Sequence, residues 1–165
     1  MKCCGGVSAA FQKHLLVDGS NVMHAWPELR ALLKRHRDLA RGKLSQAVSV
    51  LHDVEQVRVT LVFDGRGREI SVEQPSGHAT FALIHTPSGT TADDVIERLV
   101  GQAREPGRCL VATDDRAERQ VIESLGAAGL SAADLATWIE RTGQRQVARL
   151  AERRHANEEK WRRRD

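Results

Sequence analysis

Acidic residues stand where the apolar runs of this chain end. LLVDGSN places Asp18 after Leu15 to Val17, VTLVFDG places Asp64 after Val59 to Phe63, and CLVATDD places Asp114 and Asp115 after Cys109 to Ala112. GTTADD adds Asp93 and Asp94 at the start of a helical pattern. Short apolar runs bounded by Gly, Pro or Asp read as buried parallel strands. In an open parallel sheet, the carboxyl ends of the strands form the edge where ligands bind. Carboxylates gathered on that edge repel one another unless a cation lies between them. Their oxygen-only donor set suits a hard divalent ion, Mg²⁺ or Mn²⁺. Acids from several strand ends around such ions suit phosphodiester hydrolysis.

Each acid also has a local explanation. Asp18-Gly19 and Asp64-Gly65 are turn dipeptides. Asp93 and Asp94 suit a first helical turn, where amides and the helix dipole stabilise an acid by about 0.3–1 kcal/mol. Asp114 or Asp115 suits the N-cap of the helix that follows. Asn21 either orients Asp18 or caps the next segment. The chemical reading rests on convergence, because turns and caps do not require an acid at the same sheet edge three times over.

The elements that must position these acids follow from the spacing of apolar residues. Strands are expected at 14–17, 58–63, 80–85 and 108–112, with a short fifth at Gly126 to Leu130. Pro27 opens a helix running towards Arg35, and a second runs from about Asp38 to Glu55. Thr91-Ala-Asp-Asp begins a helix to about Ala103. Asp115 to Leu125 is helical, Ser131 caps the next helix, and Gln144 to Arg163 forms a long basic one. Alternating strands and helices imply a doubly wound, three-layer α/β/α sandwich around a central parallel sheet. The segment Gly65 to Gly77 reads as a mobile loop beside Asp64, placed to cover a substrate.

The 165 residues, 41% hydrophobic and 28% charged, suffice for one globular domain. No apolar run approaches the roughly 20 residues that span a bilayer, and MKCCGGVSAAFQK makes a poor signal peptide. A cytoplasmic protein without a membrane partner is expected. Three cysteines form neither a disulfide framework nor a CxxC site, and Cys109 reads as a small core residue. Net charge is +3, but the segment from Arg145 to Asp165 alone carries eight basic and four acidic residues. Arg145, Arg149 and Arg153 there, and Arg30, Lys34, Arg35, Arg37, Arg41 and Lys43 earlier, are candidate phosphate contacts. The competing reading is a solvated helical face. Val147, Leu150 and Trp161 form an apolar stripe expected to dock the tail helix onto the body. Trp26 is a candidate for base stacking or for core packing.

Taken together, LLVDGSNVMHAWPEL, VTLVFDG, TTADDVIERLV, LVATDD and WRRRD resemble the YacP-like NYN domain proteins, bacterial members of the PIN-like nuclease superfamily. The resemblance runs in order from His14 to the C-terminus. It implies a Rossmann-like PIN/NYN fold, with a nuclease domain over 14–143 and a basic C-terminal helix over 144–165; the flexible extension read over 1–13 is unusual for the family. It further implies a metal-dependent endoribonuclease with Asp18, Asp93 and Asp115 as catalytic, metal-holding acids. Asn21, Asp64, Asp94 and Asp114 are then supporting residues, RNA the substrate, and the ribosome a compatible partner. The family's first motif usually reads D-G-Y-N; here Ser20 stands in place of the aromatic, and the chain contains no tyrosine.

Two alternatives compete. A non-catalytic RNA- or ribosome-binding module would keep the fold, but its acids would repel one another without a metal. A receiver-like phosphoacceptor domain would use Asp64, but needs a lysine at the last core strand, and Gly126 to Leu130 supplies none.

Overall fold

The computed structural model of the chain describes residues 10–163. Residues 1–9, most of the expected extension, and Arg164 and Asp165 lie outside the described residues. Six strands form one sheet: β1 (His14–Asp18), β2 (Arg58–Gly67), β3 (Ser71–Glu73), β4 (Phe81–Pro87), β5 (Cys109–Ala112) and β6 (Ala128–Leu130). Their order is β3-β4-β2-β1-β5-β6, with every pairing parallel except that of β3 with β4. From β1 the chain fills one side of the sheet, then crosses to β5 on the other. The boundary between β1 and β5 is therefore the topological switch point where ligands of such sheets bind.

The helices are α1 (Gly19–Ala25), α2 (Pro27–Leu33), α3 (Arg37–Glu55), α4 (Ala92–Gln102), α5 (Arg116–Ser124) and α6 (Ala132–Arg162). Alternation along β1 divides the core in two. Leu15 and Val17 pack with Met23 of α1, Leu44 and Leu51 of α3 and Leu135 of α6. Leu16 packs on the opposite face with Ile96 and Val100 of α4 and Ile122 of α5. The expected three-layer α/β/α sandwich is thus the observed architecture. The same alternation puts Asp18 on the Leu16 face, towards α4 and α5.

Four local expectations differ from the structure. The turn reading of Asp18-Gly19 missed α1, which starts there because Asp18 serves as its N-cap. Gly65 to Gly77 is not simply a loop: β2 continues to Gly67 past an irregularity in its pairing with β4, and β3 then returns antiparallel along the outer side of β4. Gly65 is required at that bend, since a Cβ there would stand 2.1 Å from the Thr86 carbonyl oxygen.

The expected boundary between 143 and 144 falls inside one continuous helix, α6. Gly143 normally costs a helix about 1 kcal/mol, but Thr142 and Arg145 on either side of it both bind Glu55 at the end of α3. Finally, the Val147–Leu150–Trp161 stripe is not docked. These residues are 68%, 50% and 69% exposed, and every described residue from Gln144 onward is exposed. The stripe leaves the body because the anchoring contacts with α3 end at Arg145. Among the described residues, no helix is long and apolar enough to cross a membrane.

Candidate metal centre

Three carboxylates converge at the switch point. Oxygens of Asp18, Asp93 and Glu118 all lie within 4.8 Å of one another. Asp18 ends β1, Asp93 sits in the first turn of α4, and Glu118 sits in the first turn of α5. Asp18 and Glu118 are buried, at 5% and 2% exposure, while Asp93 closes the cluster from its half-exposed side.

The residues around the cluster fix it in place. Asp18 Oδ1 accepts the Asn21 N–H at 3.2 Å. Asn21 Oδ1 in turn accepts the Asp114 N–H at 2.9 Å, joining the ends of β1 and β5. Gly19 permits β1 to run into α1, because a Cβ there would come within 2.4 Å of the Phe63 ring. Asp64 Oδ1 accepts the Ala92 N–H at 2.9 Å, pinning the residue next to Asp93. Thr91 and Asp94 form the reciprocal capping box of α4, so Asp94 is occupied by helix initiation while Asp93 is turned to the cluster. Asp114 Oδ1 accepts the Ala132 N–H at 2.9 Å and thereby holds the start of α6.

Asp115 takes the helix-capping place, one of its two readings from the sequence, and not the place in the cluster that the family resemblance implies. Its Oδ1 accepts the N–H groups of Ala117 and Glu118 at 2.8 and 3.2 Å, which makes it the N-cap of α5. The structure does not bring it into the carboxylate cluster, where Glu118 stands instead. Glu118 was missed because D-R-A-E reads as a capping box, in which the acid folds back on its own helix. A signal was present: Glu118 and Ile122 are one turn apart on the buried stripe of α5, and a lone acid on such a stripe needs a partner.

The electrostatics are those of acids held too close and too dry. Burial chiefly, then the carboxyl of Asp93, raises the Asp18 pKa to about 7, against the opposing contacts of Glu118 and the Asn21 amide. Burial likewise pushes Glu118 up to about 9; the Thr113 hydroxyl opposes this, and Asp18 and Asp93 add to it. Both carboxylate oxygens of Glu118 are buried and meet no hydrogen-bond donor at bonding geometry. Orphaned oxygens beside two further carboxylates are a donor set for a hard divalent cation, with no nitrogen or sulfur ligand to favour a softer metal.

The basic candidates separate. Arg145 is committed to Glu55. Arg41 lies over the Phe63 ring, 5.4 Å from its centroid, and donates to the Asp64 carbonyl at 2.7 Å. Lys34, Arg35 and Lys43 line an open groove between α2 and α3 together with Trp26. The Trp26 indole N–H donates to the Ala132 carbonyl, and its ring packs on the core. Arg30, Arg37, Arg149 and Arg153 are exposed.

A family model for the YacP-like NYN domain matches residues 15–165. The chain belongs to the YacP-like NYN domain family. It is 31% identical over 166 residues to the uncharacterised protein YacP of Bacillus subtilis (strain 168), covering 92% of this chain and 97% of that one. It is also similar to the crystal structure of Rae1 (YacP) from Bacillus subtilis, with a TM-score of 0.67, 30% identity and coverage of 92% and 95% of the two chains. The crystal structure of a mutant of that protein gives a TM-score of 0.69 at 30% identity, covering 85% and 82%. A YacP-like NYN domain is a PIN-like, nuclease-type fold, and the cluster of Asp18, Asp93 and Glu118 is compatible with metal-assisted chemistry on it.

Proposed function

We propose that this chain is a metal-dependent endoribonuclease whose reaction centre is Asp18, Asp93 and Glu118. The observation that carries this reading is the convergence of three carboxylates at the switch point, two of them, Asp18 and Glu118, buried. Mg²⁺ or Mn²⁺ fits that donor set. Asp18, Asp93 and Glu118 would hold the ion, which would supply Lewis acidity and water activation for hydrolysis of a phosphodiester bond.

The chain's own residues prepare this site. Asn21 holds one Asp18 oxygen through its backbone N–H, leaving the rest of the carboxylate to face Asp93. Asp64 fixes the start of α4 and with it the approach of Asp93. Asp115 fixes the start of α5 and with it Glu118. Burial and crowding favour the protonated forms of Asp18 and Glu118, and a bound cation would favour their ionised forms. In this reading Asp115 is a positioning residue, and Glu118 takes the metal-holding role that the family resemblance implied for Asp115. Exposed arginines on α3 and α6 follow the RNA backbone, and the whole acts in the cytoplasm.

The test is cleavage of a circular, labelled single-stranded RNA in Mn²⁺, with and without added ribosomes. Wild type should linearise the circle, which requires an internal cut, while Asp18→Asn and Glu118→Gln should leave it intact yet remain folded. Cleavage only with ribosomes assigns substrate recognition to that partner. Equal cleavage by wild type and both variants overturns the assignment of the centre.

A further inference from the structure

We propose that Arg41, with Arg37 and Arg66, forms a phosphate-binding site that holds the RNA strand beside the bond being cut. The proposal deepens the nuclease reading above and rests on it. Arg41 is held on three sides: its guanidinium lies over the Phe63 ring, its Nη2 donates to the Asp64 carbonyl, and its Nη1 stands 3.9 Å from Asp38 Oδ1. Arg37 precedes it by one turn on α3, and Arg66 follows Asp64 by two residues on β2. Both are exposed. Each repels the Arg41 charge, while Asp38 and Asp64 attract it.

Arg37 and Arg66 are therefore each within electrostatic reach of the fixed Arg41. Asp38 and Asp64 offset part of this charge, leaving three cations against two acids. Asp38 is fully exposed to solvent, and the Asp64 carboxylate is engaged by the Ala92 N–H. An anion between the three relieves the repulsion, and the planar fork of a guanidinium matches phosphate. Arg41 is also pre-positioned, so little side-chain entropy is lost when it binds.

Its place relative to the carboxylates indicates which phosphate. Arg41 binds the carbonyl of Asp64, Asp64 binds the amide of Ala92, and Ala92 adjoins Asp93 of the cluster. Phe63 belongs to the core layer of α3, whereas Asp18 faces α4 and α5. A strand with its scissile phosphate at the carboxylates thus crosses the end of β2 to reach Arg41. It is a flanking phosphate that meets the arginines, not the reacting one.

The experiment measures anisotropy of a labelled single-stranded RNA with Asp18→Asn protein in Mn²⁺ over a salt series, and cleavage in the wild-type background. The double variant Arg37→Ala/Arg66→Ala removes exposed side chains and is compared with Arg98→Ala/Arg104→Ala, an equal loss of exposed charge on α4 and the loop after it. We expect the first pair to weaken binding about tenfold and to lower the log–log salt slope by about 0.7, the value for one phosphate on a single strand. The second pair should leave the slope unchanged. Equal effects of the two pairs, or none from Arg37 and Arg66 while wild type cleaves, overturn this site and leave the nuclease reading intact. Absence of RNA binding, together with absence of cleavage by wild type both with and without added ribosomes, overturns the nuclease reading and this site with it.

Discussion

Asp115 accepts the backbone N–H of Glu118 at 3.2 Å, so the acid that caps α5 orients the acid that enters the carboxylate cluster. Two acids one turn apart therefore do different work, and substitution separates them. Glu118→Gln should abolish RNA cleavage. Asp115→Asn retains a capping oxygen and should keep most of it. Asp115→Ala should cost about 1 kcal/mol of stability through the lost cap, read as a lower Tm. Full activity in Glu118→Gln, with loss in Asp115→Asn, would reverse the assignment.

Stability should fall as pH rises in the metal-free protein. The unfolded chain releases the protons of Asp18 and Glu118 near their ordinary values of 3.8 and 4.5, whereas the folded chain holds them to about 7 and about 9. Between those limits the folded state binds more protons, so stability is greatest below the unfolded values and is lost as pH climbs through the folded ones. Denaturant melts in EDTA from pH 5 to pH 9 read this trend directly. Mn²⁺ should reverse it, stabilising most at high pH, where fewer protons compete. A melt in EDTA that strengthens steadily with pH would contradict the electrostatic picture of the cluster.

Asp64 should behave as a positioning residue. Asp64→Ala leaves the Ala92 N–H without its acceptor, an expected loss of about 1–2 kcal/mol. Because Ala92 adjoins Asp93, kcat should fall more than KM rises. A rise in KM alone would instead place Asp64 in substrate binding.

Glu55 clamps α6 to the body. Its carboxylate accepts from the Trp138 indole at 2.9 Å, from the Thr142 hydroxyl at 2.6 Å, and from Arg145. Burial disfavours its charge, but these partners outweigh burial and keep its pKa below the ordinary value. Their contribution is therefore present at neutral pH and is lost as acid protonates the group. Glu55→Ala should destabilise by about 2–3 kcal/mol, since bonds to a charged acceptor are the stronger kind. Removal of residues 149–165 spares all three partners and should change stability by less than about 0.5 kcal/mol. Thermal melts of the two variants decide the matter.

The layers were legible in the sequence because buried parallel strands read as plain apolar runs, and β1, β2, β4 and β5 are such runs. Asp18 and Asp93 were legible because one ends a strand and the other opens a helix at the ligand edge. Glu118 was not, since its local pattern matches a cap and the packing of α5 against α4 and β6 turns it inward. The course of α6 through Gly143 was hidden for a related reason: the anchors that carry the helix across that glycine come from Glu55, distant in sequence. The exposed stripe on α6 was misread because periodicity shows which residues share a face, and not whether another element lies against it.

The Glu55 clamp has a mechanical meaning. A helix of 31 residues is about 46 Å long, and its free portion works as a lever arm on the body. Its root touches the site, through the Asp114 bond to Ala132, while Trp138, Thr142 and Arg145 grip Glu55 between that root and the free end. A load on the arm is borne at this fulcrum first, so the carboxylates at the head of the sheet are shielded from tugging at its tip.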